Sequence, residues 1–521
     1  MKVLFLYPEL QSFSHKALGP SILISVLKKE GHEVELFDSS LYEQTKILPD
    51  SSLREKDLTP LYWFRKPNCS IPKPDSLHID VVDAFNKKLE VFLPDIILVS
   101  ATYLSYGLSV NLITQSNAEN NTVIYGGIHC TTAPEDAISH KNVKYVFVGE
   151  GEVGLPLILK KLENGESIDG CSNLWVKEDD GRIVKNEMEY IVEDLDSLPF
   201  YDWDNFTDFH YLRVYQGKVY RMGDYSTSRG CVNKCTYCFY KGFYDAYGME
   251  KNIVRRYSAE RAIEELVYLK EKYGITFFRF HDSDFLNMGV PYLEKFSTLY
   301  RKYVNLPNTI NACPEHVLEK KARCLVKMNT LSVSAGLESG SEFIRGQVLN
   351  RHYTNEVYIK NLHILKKSGL RVSAPCLIGL PGETRANILE TIQVCRESKV
   401  DHADFGIFFP FPRLALTDYA IKNGYLEEDQ RLDHVIFGVE SALKLEISHM
   451  NLRNLLRCSM LYLKLPKFLW PFISIAEKCN TDNGITWRLL RKIYFFQLHF
   501  LDTSAFIRKL RMLVLVKQLK Y

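Results

Sequence analysis

The stretch 228–238, SRGCVNKCTYC, holds three cysteines within eight residues. Cys231, Cys235 and Cys238 are spaced C-x3-C-x2-C, with Gly230 before them and an aromatic residue after. An odd number of thiols disfavours a disulfide framework. A structural zinc site takes four ligands, usually in two pairs, and no second Cys or His pair lies at zinc-finger spacing, so zinc stays the minority alternative. An iron–sulfur cluster is favoured, because three thiolates on a [4Fe–4S] cluster leave one iron open to bind a small molecule.

The size and composition of the chain are those of a globular protein of two or three domains. It has 521 residues, of which 46% are hydrophobic and 25% charged. The opening MKVLFLYPEL predicts a first strand rather than a signal peptide, and no uncharged apolar run reaches membrane-spanning length. Nine further cysteines are scattered singly, which is typical of buried thiols in a reducing compartment, so we expect a cytoplasmic location.

Residues 1–195 alternate strand and helix patterns. Apolar runs such as KVLFLYP and DIILVSATY are separated by the helical patterns SILISVLKKEGH and VVDAFNKKLEVFL. This order predicts a doubly wound, Rossmann-like parallel sheet that binds ligands beyond the carboxyl ends of its strands. We expect turns at SATYLSYG and YGGIHCTTAPE, and a β-hairpin on the Asp-Gly pair of LWVKEDDGRIVKN.

Residues 196–431 contain six strand–helix repeats, and the cysteines lie directly after the first predicted strand. The repeats run from GDYSTSRG to HADFGIFFPFP. Six parallel units of this kind close most of a barrel, with chemistry at the carboxyl ends of the strands. The sequence therefore predicts a partial (β/α)6 barrel that begins at the cysteine loop.

Residues 432–521 predict a mainly helical, basic region. From Ser441 to Tyr521 there are 14 Lys and Arg against 4 Asp and Glu, a net charge of +10, while the whole chain carries only +2. The favoured interpretation is a helical cap on the barrel with a solvated basic face. Peripheral contact with a membrane surface is the second interpretation, and nucleic-acid binding, for which no motif is present, is the third.

The position of the C-x3-C-x2-C motif at the start of six β/α repeats resembles the radical S-adenosylmethionine (SAM) superfamily. In that family SAM chelates the fourth iron of the cluster. One electron cleaves SAM to methionine and a 5′-deoxyadenosyl radical, which abstracts a hydrogen atom from the substrate. The resemblance implies that the protein binds the cluster and SAM, and that an external donor such as flavodoxin or ferredoxin supplies the electron.

Three further stretches fit the same resemblance. HDSDF ends the second barrel strand and carries Asp282 and Asp284, and GLESG ends the fourth strand and carries Glu338, which could accept hydrogen bonds from SAM. IGLPGET, with Gly379 and Pro381, matches the turn that lines the adenine side of SAM. The plain alternatives are a strand-end carboxylate bonded to backbone for Glu338 and a helix-capping turn for IGLPGET.

The first domain resembles the N-terminal domain of the B12-binding radical SAM family. YGGIHCTTAPE followed by VFVGEGE carries this resemblance, which extends over about residues 1–431. It implies cobalamin held over the mouth of the barrel. Gly126 and Gly127 would let the backbone approach the ligand, and Ser100 and Thr102 could bind its nucleotide tail; tight turns are the alternative.

The first loop departs from the family pattern D-x-H-x-x-G, whose His coordinates cobalt. It reads FSHKALG, with Phe13 in place of Asp and Leu18 in place of Gly. We therefore expect His15 to be an ordinary loop residue and cobalamin to bind without it.

The combined prediction is a cobalamin-dependent radical SAM enzyme that methylates an unactivated carbon of a small-molecule or natural-product substrate. A radical cyclase or rearrangement enzyme is the alternative within enzymes. A non-catalytic iron–sulfur or corrinoid-binding protein is the alternative from another class.

Overall fold

The fold is described from a computed structural model, over residues 1–10, 17–44, 47, 75–249, 253–428, 432 and 440–478. The loop with Phe13 and His15 and the stretch 479–521 lie outside these residues. Within the described ranges, no helix is both long and apolar enough to cross a membrane.

The first sheet has seven strands in the order β2-β1-β3-β4-β5-β6-β7. Their bounds are β1 Lys2–Tyr7, β2 Glu33–Asp38, β3 Ile96–Ser100, β4 Thr122–Gly126, β5 Tyr145–Phe147, β6 Leu174–Lys177 and β7 Ile183–Lys185. Strands β1 to β5 are parallel, and β6 and β7 are antiparallel. The predicted doubly wound domain and its Asp-Gly hairpin are therefore confirmed.

Helices cover both faces of this sheet, which explains why its strands are apolar throughout. The helices are α1 Leu18–Lys29, α2 Val81–Phe92, α3 Tyr103–Gln115, α4 Ile128–Thr132, α5 Pro134–Ser139 and α6 Gly151–Glu163. Val3 and Phe5 of β1 share one hydrophobic core with α1 and α6, while Leu4 and Leu6 share another with α2 and α3.

Two turns expected after strands of this sheet were wrong. SATYLSYG enters α3 directly, because Thr102 and Ser105 form a capping box at its start. YGGIHCTTAPE forms α4 and α5, and Pro134 occupies the first turn of α5, where its missing N–H costs nothing.

The second sheet has the order β16-β15-β14-β13-β12-β9-β8. Its strands are β8 Leu212–Tyr215, β9 Lys218–Tyr225, β12 Phe277–Phe280, β13 Asn308–Ala312, β14 Thr330–Ala335, β15 Arg371–Ile378 and β16 His402–Ile407. Six of these strands are parallel, and β8 adds an antiparallel edge to β9. The short strands β10 Ser228–Arg229 and β11 Arg255–Arg256 pair with each other beside the cysteine loop. The predicted partial barrel is confirmed.

The helices of the second domain comprise one short helix before the first strand and others that follow the strands in turn. They are α7 Asp208–Tyr211, α8 Phe239–Ala246, α9 Ala259–Tyr273, α10 Val290–Leu299, α11 Glu319–Lys327, α12 Asn355–Lys367, α13 Arg385–Glu397 and α14 Ala415–Lys422. The boundary predicted at 195/196 falls between the last strand of the first sheet and the first strand of the second. The three-domain division itself stays a prediction.

The C-terminal region is helical where it is described, with α15 His449–Lys464 and α16 Trp470–Lys478. Leu452 and Leu455 of α15 are fully buried against the barrel. The guanidinium of Arg385, at the start of α13, binds both carboxylate oxygens of Glu477 in α16 at 2.7 and 2.8 Å. This packing is what a helical cap requires.

Candidate active site

The cysteine loop follows the carboxyl end of β9 and is held in place by its neighbours. Gly230 has a φ of +102°, and a Cβ there would lie 2.0 Å from the carbonyl oxygen of Ile253, so only glycine fits. The hydroxyl of Tyr244, on α8, accepts a hydrogen bond from the Cys231 amide at 3.0 Å. Thr236 donates to the carbonyl of Val348 at 2.7 Å. These contacts fix the loop before any metal binds.

The three thiols form a donor set that suits an iron–sulfur cluster. All three are free and at least half-buried. Burial raises the pKa of each thiol, to about 12 for Cys238, and Arg351 opposes this rise for Cys231 and Cys235. Buried thiols at these positions need added positive charge to become thiolates, and cluster irons supply it.

Arg351 lies between the cysteine loop and the carboxylates at the strand ends. Its guanidinium is 3.6 Å from Glu338, 3.3 Å from Glu315 and 3.5 Å from the hydroxyl of Tyr237. Its Nε is buried and has no hydrogen-bond partner among the described residues. These contacts are long for charge-assisted hydrogen bonds, so the guanidinium retains capacity for an anionic group in this space.

Glu338 lies directly after β14, as predicted, with a φ of +62°. Its amide donates to the carbonyl of Pro375 at 3.1 Å, and its own carbonyl accepts from Leu377 at 2.8 Å. Burial raises the pKa of the Glu338 carboxyl, and Arg351 only partly offsets that effect. A hydrogen bond from Tyr237 also acts against it, so the carboxyl has both Arg351 and Tyr237 as partners.

Asp282 and Asp284 form hydrogen bonds with protein groups that line the site. Asp282 is fully buried and accepts hydrogen bonds from the amide and hydroxyl of Thr227, at 3.0 and 2.6 Å, and from Ser228. Asp284 accepts from the amide of Cys313 at 3.0 Å and pairs with the ring of His316. Protein donors already surround both carboxylates. Direct contact of either residue with a cofactor therefore stays a prediction.

The turn with Gly379 and Pro381 is rigid and buried. Gly379 has a φ of +72°, and its amide donates to Glu383 at 2.7 Å. The same oxygen of Glu383 accepts from the amide of Leu380, while its other oxygen has no partner among the described residues. Burial raises the pKa of Glu383 to about 8, so this carboxyl is largely protonated at neutral pH.

A cavity of about 340 Å³ lies between the first sheet and the barrel. Ser100, Gly126 and Gly127 line it from the first domain, and Tyr240 and Arg229 line it from the cysteine side. Thr102 lies outside this lining, with its hydroxyl 3.1 Å from that of Ser105. The cavity therefore adjoins the cysteine loop and brings three of the four predicted cobalamin contacts together.

The backbone requires glycine at position 127, for a reason that the sequence did not reveal. Its φ is +96°, and a Cβ would lie 2.6 Å from the carbonyl oxygen of Ala101. The close approach that requires glycine is thus between β4 and the end of β3. At Gly126 a Cβ would meet its nearest atom at an ordinary 3.5 Å, so this position opens onto the cavity without backbone strain.

An ion network joins the two domains beside this cavity. The guanidinium of Arg255 binds both oxygens of Glu150 at 2.7 Å, and Arg229 binds Glu152 at 2.6 Å and Glu150 at 3.3 Å. Burial acts to raise the pKa of Glu150, but the two guanidinium groups outweigh it and hold that pKa below its usual range. Sequence reasoning missed this network and Arg351, because their partners are distant along the chain.

Comparison with known proteins supports the assignment of the barrel. Residues 225–395 match the model of the radical SAM superfamily. An uncharacterized methyltransferase of Pyrococcus horikoshii is 28% identical over 345 residues, covering 65% of this chain and 72% of the relative. The cytidylyl-2-hydroxyethylphosphonate methyltransferase of Streptomyces wedmorensis is 23% identical over 477 residues, covering 83% and 84%.

The fold of nearly the whole chain matches a solved structure. This is the cobalamin-dependent SAM radical enzyme OxsB with aqua-cobalamin and SAM bound, at a TM-score of 0.65 and 14% identity, covering 96% of this chain and 72% of that one. Residues 225–395 therefore form a radical SAM domain, and the fold of nearly the whole chain is that of a solved cobalamin-dependent SAM radical enzyme. The predicted family, the [4Fe–4S] cluster and SAM are confirmed at this level.

Proposed function

We propose that this enzyme uses cobalamin and SAM to methylate an unactivated carbon of a small molecule. The observation that carries the proposal is the cavity shared by Gly126 of the first domain and Tyr240 and Arg229 of the barrel. A ligand bound there lies beside the cysteine loop, which is where a methyl donor must be to meet a substrate radical.

The residues of the chain fit the groups that the reaction needs. When bound, the cluster supplies the electron that cleaves SAM, and cobalamin supplies the methyl group. Cys231, Cys235 and Cys238 would hold the cluster through their three thiolates, which would leave one iron available to SAM. Arg351 is placed to bind a carboxylate, and Glu338 is placed to accept hydrogen bonds from an amine or hydroxyl group.

The cavity fits part of a corrinoid. Its volume is too small for a whole corrinoid, and its residues at the strand ends would hold the nucleotide tail. Apolar side chains of Leu98, Ile124 and Phe147 line its inner end, and Ser100 is a polar group at the strand end. We infer that the corrinoid binds without His15.

The partners are inferred from the same chemistry. Related proteins are named as methyltransferases, one of them for a cytidylyl phosphonate, and this supports a small-molecule substrate. The cluster needs an external one-electron donor, for which flavodoxin or ferredoxin is the expected class. The free cysteines of the described residues support the predicted cytoplasmic location.

The test uses the full chain reconstituted with iron, sulfide and hydroxocobalamin, and reduced by flavodoxin. SAM that carries a deuterated methyl group should yield 5′-deoxyadenosine and transfer the labelled methyl to a candidate substrate. The Cys231→Ala variant is the control and should give neither product. Formation of 5′-deoxyadenosine with an unmethylated, rearranged or cyclised product would support the alternative radical enzyme, and failure to cleave SAM would contradict both.

A further inference from the structure

A stripe of exposed apolar side chains runs along the C-terminal helix. Phe468, in the turn before α16, is 74% exposed, and Phe472 and Ile475 are 68% and 64% exposed. Their spacing of four and three residues places them on one face of a helical segment. The other face packs inward through Ile473, which is buried, and through Glu477, which binds Arg385. We call Phe468, Phe472 and Ile475 the apolar stripe.

A basic groove begins where the stripe begins. It has a volume of about 550 Å³. Its charged lining consists of Lys366, Arg396, Lys399, Lys464, Lys467, Glu397 and Asp401. Five cations against two carboxylates leave the groove with a net charge of +3, and Lys467 directly precedes Phe468.

One cation of the groove, Lys366, is paired with Asp401 at 2.6 Å, and two others are held by backbone carbonyl oxygens. Arg396 donates to the carbonyl oxygens of Tyr462, Leu463 and Leu465, at 2.7–2.8 Å. Lys464 donates to the carbonyls of Val400 and Asp401. Carbonyl partners hold a cation without cancelling its charge, so the groove keeps its positive potential.

We propose that the apolar stripe and the basic groove together dock on an anionic membrane surface. Exposed aromatic and aliphatic side chains enter the interface between headgroups and acyl chains, and neighbouring cations bind lipid phosphates. The charge of the remaining chain agrees with this, because residues 479–521 contain eight Lys and Arg against two Asp and Glu.

The charge of this face disfavours two other occupants. A second copy of the chain, paired about a two-fold axis, would bring two grooves of net charge +3 together. Residues 479–521 of the same chain carry a net charge of +6, which does not complement a groove of net charge +3. An anionic bilayer complements both the apolar and the basic part.

The test is sedimentation of the full-length holoenzyme with vesicles of phosphatidylcholine alone, or of phosphatidylcholine and phosphatidylglycerol in equal parts. We expect binding to the anionic vesicles at low salt, and weaker binding as salt shortens the range of the charges. The variant Phe468→Ser/Phe472→Ser/Ile475→Ser should bind roughly tenfold or more weakly, since three apolar side chains no longer enter the bilayer.

Matched controls separate docking from unfolding. Phe343→Ser changes an apolar side chain that is 70% exposed on another element, and it should bind like the wild type. Lys399→Glu/Lys467→Glu should weaken binding, whereas Lys218→Glu/Lys302→Glu, with the same change in net charge, should weaken it less. All variants should still form 5′-deoxyadenosine at the wild-type rate, which shows that the holoenzyme is intact.

Four results would overturn the proposal. The first is wild-type protein that does not sediment with anionic vesicles at low salt, and the second is a triple variant that binds as well as the wild type. The third is a dimer, seen by light scattering, that the triple variant abolishes. The fourth is binding that appears only after residues 479–521 are deleted, which would assign the face to that segment.

Discussion

At the scale of single residues, Arg351 lies between the cysteine loop and the carboxylates at the strand ends. Its guanidinium reaches Glu338 and Glu315 at 3.6 and 3.3 Å, and its charge opposes the burial that raises the pKa of Cys231 and Cys235. A planar guanidinium can bind a carboxylate through two parallel hydrogen bonds, which a lysine cannot do. The same residue can therefore favour the thiolates and receive the carboxylate of SAM.

Replacing Arg351 by Gln should weaken SAM binding. Losing a hydrogen bond to a charged group costs ~1.5–3 kcal/mol, which is roughly ten- to hundredfold in affinity. Glu338→Gln should act in the same direction while leaving the iron content unchanged. Equilibrium dialysis of SAM against the reconstituted protein measures the effect, with the surface variant Glu319→Gln as control. An unchanged affinity for both site variants would make Glu338 and Arg351 structural residues.

The carboxyl of Glu383 predicts a dependence of stability on pH. Its pKa is raised from 4.5 to about 8, so the folded protein holds a proton that the unfolded chain releases. Stability from this group is complete below pH 4.5 and declines as pH rises towards 8, by at most about 1.4 kcal/mol per pH unit. Gln mimics the protonated acid, so the melting temperature of Glu383→Gln should fall less than that of the wild type between pH 5 and 8. Parallel curves would contradict the assignment.

The third prediction at the scale of residues concerns the three cysteines of the loop. Each of Cys231→Ala, Cys235→Ala and Cys238→Ala should lose the cluster, because fewer than three thiolates do not hold a [4Fe–4S] cluster with one open iron. Iron and acid-labile sulfide measure the loss after reconstitution. Cys171→Ala removes a buried thiol of the first domain and should keep full iron content. A complete, SAM-cleaving cluster in any of the three variants would remove that cysteine from the ligand set.

At the scale of elements, the backbone at the ends of β3 and β4 determines which glycine substitution can test corrinoid binding. Gly127→Val would force a Cβ into the backbone of Ala101 and would damage the sheet whether or not a ligand binds. Gly126→Val instead fills the cavity from an unstrained position. We expect this variant to lose hydroxocobalamin on desalting while keeping its melting temperature within about 2 °C. Gly126→Ala should retain more corrinoid, and full retention by both variants would place the ligand elsewhere.

The order of strands and helices could be predicted from the sequence. The short helices and the contacts of several site residues could not. Apolar runs bounded by Gly and Pro identify the parallel strands, because both faces of those strands are buried. The sequence predicts a turn where the helices at 128–139 lie, because helices of five and six residues are too short to show periodicity. The roles of Asp282 and Arg351 depend on partners 54–55 and 13–114 residues away, and no local pattern reports such contacts.

At the scale of the whole molecule, the pairs of Glu150 with Arg255 and Arg229 couple the two domains. Breaking one partner of a largely buried pair leaves the other charge uncompensated, which costs about 3–5 kcal/mol. Glu150→Gln should therefore lower the melting temperature and reduce corrinoid retention together. Glu178→Gln breaks the exposed pair with Arg182 and should cost at most about 1 kcal/mol. Equal effects of the two variants would show that the domains do not depend on this network.

The length of α13 has a consequence for where the substrate comes from. Arg385, at one end, directly follows the Gly379 turn at the barrel mouth, and Arg396, near the other end, lines the basic groove. Thirteen residues of helix span about 20 Å. Helix α16 runs back over this distance, because Glu477, two residues after Ile475, binds Arg385. A bilayer docked on both the groove and the apolar stripe would therefore reach from the far end of α13 towards the barrel mouth, so that compounds dissolved in the lipid could enter the site without crossing bulk water.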